Sequence, residues 1–126
     1  MKVKIHNRFP LYRDDESYSR IVLMEEILVV IFQQEERPLG FKVPEGFQSD
    51  LASIPRIFLP IFPKQGRNKV AAIIHDWLYT TKRYDKEMSD KIFFYSMVAL
   101  GVKPWRRYLM YQAVKWFGAS AWKGDG

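Results

Sequence analysis

The chain has no cysteine, which excludes a disulfide framework and any thiolate metal site and fits a reducing compartment. Histidine is nearly as scarce, with only His6 and His75. No His-Glu-x-x-His spacing occurs, so a zinc site is not expected. Long apolar runs are also missing. The longest, Ile27 to Phe32, has six residues, against the roughly 20 that a membrane-spanning helix needs. The first residues, Met1 to Asn7, are charged and lead into Arg8 and Pro10, so they lack the apolar core of a signal peptide. A Gly-x-Ser-x-Gly elbow, a Walker loop and a dinucleotide fingerprint are all missing. Ser49, Ser53, Ser89 and Ser96 stand without a base at a telling spacing.

What is present is apolar and aromatic. Of 126 residues, 48% are hydrophobic and 16% aromatic, too many for a disordered chain and enough for one modest domain. The charge is lopsided: residues 1–63 hold 8 basic and 9 acidic groups, residues 64–126 hold 12 and 5. A basic half is compatible with a solvated helical surface, or with contact to an anionic partner such as a phospholipid surface, nucleic acid without sequence preference, or an acidic protein.

Patterning predicts an α+β fold, with N-terminal antiparallel strands followed by a C-terminal bundle of three helices. A single domain is expected, strand-rich over 1–50, walled by a Pro-rich segment over 51–66 and helical over 67–118. Val3 and Ile5 alternate with lysines as in an edge strand. Residues 13–19 read as a polar loop. Ile21 to Met24 and Ile27 to Phe32 read as strands around Glu25-Glu26, with a continuous helix over 21–33 as the rival. Arg37 to Gly40 reads as a turn, and a short strand follows that breaks at Pro44-Glu45-Gly46. Pro55, Pro60 and Pro63 forbid a long helix or a central strand there. Helices are expected from Asn68 to about Thr80, over 85–100 with Asp85 as cap and Gly101 past the end, and from Pro104 to Gly118. Trp105, Tyr108, Leu109, Gln112, Ala113 and Trp116 form a stripe on the third helix, expected to face the core.

The chemistry concentrates in His75-Asp76-Trp77-Leu78-Tyr79 and Asp90. At 100° per residue Tyr79 lies within about 40° of His75, while Asp76 points about 100° away. Asp90 sits in the middle of the second helix's apolar face, and the short connection Thr80 to Tyr84 makes the two helices antiparallel neighbours. A carboxylate placed there needs a partner, and His75 or Tyr79 is at hand. If Asp90 accepts Nδ1–H, Nε2 is left to act as general base in hydrolysis. The same groups can equally clamp two helices together. Asp76 is a candidate calcium ligand, with carbonyls of the Gly46–Asp50 turn as possible donors. Asp50, Ser53 and Arg56 form a supporting set: a capped turn, with an arginine able to pair with a carboxylate or phosphate.

Three motifs, Val43-Pro44-x-Gly46-Phe47-x-Ser49-Asp50-Leu51-Ala52-Ser53-Ile54-Pro55-Arg56, then Ala71 to Tyr79, then Ser89-Asp90 with Phe93, Met97 and Gly101, together resemble the family called domain of unknown function 1353. The likeness covers roughly residues 20–122, with Ser49 where that family more often has threonine. It implies a phage-related origin and supplies no activity. His-Asp-x-x-Tyr followed by a distal aspartate is also similar to secreted phospholipases of the A2 type. That resemblance implies His75 as base, Asp76 as calcium ligand, and Tyr79 and Asp90 as its supports. The disulfides and the glycine-rich calcium loop of that family are missing from this chain. The expectation is a phage-encoded protein with a His75/Asp90 hydrolytic site for lipid esters or another envelope component. The alternatives are a non-catalytic virion (tail or neck) or assembly protein, whose partners are other virion proteins, and a factor that inhibits a host protein. The expected location is the host cytoplasm during synthesis, with the virion as a further destination.

Overall fold

Strand and helix boundaries follow the places where the chain can bury an apolar face and still pair its backbone. In the computed structural model, which describes residues 1–15, 20–50 and 67–123, six strands precede four helices. They are β1 (Lys2–His6), β2 (Tyr12–Asp15), β3 (Arg20–Leu23), β4 (Ile27–Phe32), β5 (Leu39–Val43) and β6 (Gln48–Ser49), then α1 (Arg67–Thr81), α2 (Lys86–Ala99), α3 (Pro104–Phe117) and α4 (Ala119–Lys123). The fold is α+β, as the patterning predicts.

The strands form two antiparallel sheets, β1-β4-β5 and β2-β3-β6. β4 is central in the first. Its inward residues Ile27, Val29 and Ile31 are fully buried and alternate with period two, as a one-sided sheet requires. Ile31 faces Val3, and Val29 faces Ile5 on one side and Phe41 on the other. This cross-strand ladder is the floor on which the helices rest. The rival helix over 21–33 does not form. β3 and β4 do not pair with each other either: the connection through Glu25-Glu26 carries the chain from one sheet to the other. Here the Glu25 carboxylate accepts the Leu11 backbone N–H at 2.8 Å, and the Glu26 carbonyl accepts Asn7 Nδ2–H at 3.2 Å. Two of the three crossings between the sheets, β1 to β2 and β3 to β4, are thereby bound side by side.

Two turn readings change. Arg13, Asp14 and Asp15, expected in a loop, belong to β2 and pair with β3. Pairing runs through the backbone, so an edge strand tolerates polar residues that composition assigns to a loop. Leu39 and Gly40, expected in a turn, open β5 opposite Ile31 and Val30. The Pro-rich wall expected over 51–66 lies outside the described residues.

The helices begin and end for local reasons. Asp85 accepts the Met88 N–H at 2.8 Å and caps α2. At the other end Gly101 adopts φ 77°, its N–H bonds to Val98 O, and the Val102 N–H reaches Met97 O. That is a Schellman closure, which the left-handed glycine permits. Pro104 opens α3, and Gly118 follows its last residue. α4 is an addition the periodicity did not indicate.

The stripe on α3 is a correction. Trp105, Tyr108, Leu109 and Trp116 are exposed; of the stripe Ala113 is buried, as expected, together with Met110 and Val114 from outside it. Both faces carry apolar residues at helical spacing, and periodicity does not say which one turns inward. Small Ala113 lets α3 approach α2, whereas a row of indoles would hold it off.

Candidate functional site

α1 presents two consecutive polar side chains to two different neighbours. His75 faces α2, and its ring is 0% exposed. It lies between the Tyr79 ring, 4.2 Å away, and the Phe93 ring, 4.6 Å away. Its Nε2 meets Asp90 Oδ1 at 2.7 Å. The expected contact is therefore made, but by the opposite ring edge from the one anticipated. Nε2 lies farther from the backbone than Nδ1, so a partner on the adjacent helix meets the tip of the ring. An ionised carboxylate only accepts, so the proton of this bond sits on Nε2.

Asp90 is the hub. It is 2% exposed and also accepts the Tyr79 hydroxyl at 2.7 Å on Oδ1 and the Lys86 ammonium at 2.8 Å on Oδ2. Lys86 Nζ donates further to the carbonyls of Val114 at 3.0 Å and Lys115 at 3.3 Å. Those carbonyls lie in the last turn of α3, where the helix dipole is negative, and that of Val114 also accepts the Gly118 N–H. One carboxylate thus gathers side chains from α1 and α2 and, through Lys86, the end of α3. Burial alone would raise the Asp90 carboxyl, but the bond and charge of His75 and the bonds from Lys86 and Tyr79 prevail and hold it below the ordinary 3.8. The Tyr79 hydroxyl is driven far above its usual range by burial first, and then by its bond to Asp90 and the charges of Asp90 and Asp76.

Gly118 completes the enclosure. A Cβ there would stand 2.4 Å from the Val114 carbonyl oxygen and 3.0 Å from the Tyr79 hydroxyl. Only a residue without a side chain lets the α3–α4 junction close over the phenol. Trp122 of α4 then packs edge-on against the Tyr79 ring at 5.1 Å.

Asp76, the next residue along α1, addresses the second sheet: Ser49 of β6 donates its hydroxyl to Asp76 Oδ2, and both residues are buried. Asp50 follows β6 and is exposed. Ser53 and Arg56 lie outside the described residues. Calcium takes six or more oxygen ligands. Among the described residues no group of three or more His, Asp or Glu side chains gathers to hold a metal ion. Asp76 and Ser49 bring two side chains with oxygen donors to one place.

The structure brings His75, Tyr79 and Asp90 together by hydrogen bonds, and turns the Asp76 carboxylate to Ser49 of β6. Sequence reasoning missed Lys86, although its spacing of four from Asp90 is a helix-face signal. It missed the Ser49–Asp76 pair, which depends on how β6 meets α1. It also missed the role of Gly118, which it took only as a helix stop.

A family model described as "Protein of unknown function (DUF1353)" matches residues 24–114, a span that contains His75, Asp76, Tyr79, Lys86 and Asp90. The chain is also similar to "Uncharacterized protein y4jT" of Sinorhizobium fredii (strain NBRC 101917 / NGR234), at 39% identity over 85 residues. That match takes in 64% of this chain and 25% of the relative, so the chain spans about a quarter of the relative's length. No solved structure matches.

Proposed function

The chain belongs to the DUF1353 family, which is defined by sequence and not by an activity, and we propose that it is a non-catalytic component of a phage-related virion or its assembly, in which the His75–Tyr79–Asp90–Lys86 cluster is a helix clamp. The observation that carries this reading is saturation. Asp90 accepts three hydrogen bonds, the His75 edge that meets it is committed as donor, and the ring has no exposed surface. A general base needs a lone pair within reach of substrate. A clamp needs every buried polar group satisfied. The phage association rests on the family resemblance alone.

One contact favours a second reading. A histidine held by a carboxylate and flanked by a tyrosine is also the core of a hydrolytic site, and the 2.7 Å His75–Asp90 contact is of that kind. Calcium at Asp76 belongs to this second reading.

His75→Ala separates the two. A clamp predicts a stability loss of roughly 1–3 kcal/mol, because Asp90 and the cavity are left unsatisfied, and no turnover of a fluorogenic phospholipid ester by the wild-type chain. Turnover that His75→Ala abolishes without a change in melting temperature would overturn the clamp. A calcium-induced rise in melting temperature, lost in Asp76→Asn, would restore the calcium-dependent form of the hydrolase.

A further inference from the structure

The outward face of α3 carries a row of large exposed rings. Trp105 is 58% exposed, Tyr108 62%, Trp116 68%, and Leu109 lies among them. Taking Trp105 as the origin, Trp116 lies within about 20°, Leu109 within about 40° and Tyr108 about 60° to the other side. They make a single ridge about 16 Å long at 1.5 Å per residue. Gln112 sits on the ridge and holds the Trp116 indole, accepting its N–H at 2.7 Å. Arg106 lies about 100° to one side and Lys115 about 80° to the other. Each cation leans back over a ridge ring: Arg106 is 5.0 Å from the Trp105 centroid and Lys115 is 5.6 Å from that of Trp116. The opposite face, Met110, Ala113 and Val114, is buried, so this ridge cannot turn inward.

The surrounding chain has one sign of charge. Residues 101–123 contain five Lys and Arg and no Asp or Glu, and three of the four tryptophans of the protein. An exposed aromatic ridge with cations along both flanks has the cross-section of a helix lying in a membrane interface, rings at the acyl boundary and ammonium or guanidinium groups among the phosphates. A second copy of the chain would bring the same cations together and is disfavoured. A protein partner would need a complementary groove with acidic walls, whereas a fluid lipid surface accepts a convex ridge without one.

We propose that α3 docks the protein flat on an anionic lipid surface through Trp105, Tyr108, Leu109 and Trp116, with Arg106 and Lys115 contacting lipid phosphates. This goes beyond the clamp and does not depend on it, since the ridge points away from Asp90 whether or not His75 takes part in chemistry.

The test is flotation of the full chain with vesicles of phosphatidylcholine alone or mixed with phosphatidylglycerol, at low salt. Capture by the anionic vesicles is expected, about tenfold weaker with phosphatidylcholine alone and weakened by salt. Trp105→Ser and Trp116→Ser should each reduce it about tenfold, and Arg106→Gln and Lys115→Gln about fivefold each. The tryptophan variants should melt as the wild type does, because their rings are exposed. No capture at low salt overturns the proposal. So does capture that the tryptophan variants retain in full, which would mean charge alone. Tryptophan-dependent dimerisation in sedimentation velocity, or tryptophan-dependent binding to immobilised polyglutamate, with indifference to vesicles, assigns the ridge to a second copy or to an acidic protein and overturns it as well.

Discussion

Asp90 holds together what would otherwise be three incompatible burials: an imidazole, a phenol and an ammonium group. Removing it by Asp90→Ala takes the carboxylate away from His75, Tyr79 and Lys86 at once, leaving Lys86 only the α3 carbonyls. The expected loss is about 3–5 kcal/mol in a denaturant titration, the scale for breaking a buried charge pair. The pH dependence has a definite sign. The folded carboxyl titrates below its ordinary 3.8, so its contribution is complete above that value and is lost as pH falls through the folded one. Asp90→Asn should therefore show a shallower fall of stability below about pH 4 than the wild type. Gly118→Ala is a separate probe: the new methyl meets the Val114 carbonyl and the Tyr79 hydroxyl, and melting should report a loss of about 1–3 kcal/mol. At this scale much was legible. An aspartate centred on an apolar helix face had to find a donor, and His75 and Tyr79 were the donors within reach. Lys86 was not foreseen, because its partners include α3 carbonyls that only the packing of α3 on α2 brings near.

α2 is specified at both ends by its own sequence, and its boundaries were legible in full. Asp85 accepts Met88 N–H at the start, and Gly101 at φ 77° closes the end. Asp85→Ala should cost about 1 kcal/mol, read as a lower melting temperature by circular dichroism. α3 is specified differently. Its first residue is a proline, its first turn has no acidic residue, and its last carbonyls are served by Lys86 from another helix. Lys86→Met keeps the length of the stem and removes the ammonium group. It should fray the last turn of α3, raising hydrogen exchange at Lys115 to Gly118 while the first turn of α3 stays as protected as before. The inward face of α3 was not legible. Apolar residues recur at helical spacing on both sides of it, and the choice fell to the side with the smaller residues, Ala113 and Val114, that fit against α2. β2 escaped for a related reason: an edge strand is held by its backbone, so Arg13-Asp14-Asp15 read as loop.

Across the whole molecule the protection of the backbone should follow the layers. β4 is paired on both sides and its inward residues are fully buried, and α1 carries Ala71, Ala72, Ile73, Ile74 and His75 without exposed surface to speak of. Hydrogen exchange is expected to be slowest in β4 and α1 and fastest in α4, with the edge strand β2 between them. Uniform exchange over β2 and β4 would contradict the two-sheet arrangement. The α+β class was legible from the change of period near residue 68, whereas the division of the strands between two sheets was not, because pairing partners leave no mark on a single segment. That division has a consequence for the newborn chain. The strands alternate between sheets in such a way that the first cannot close before β5 emerges from the ribosome, nor the second before Ser49 of β6 does. β1 is already made when β4 emerges, but until Val43 completes β5 the other flank of Ile27, Val29 and Ile31 stays open, so the interval between translation of Phe32 and of Val43 is when a chaperone has most to shield.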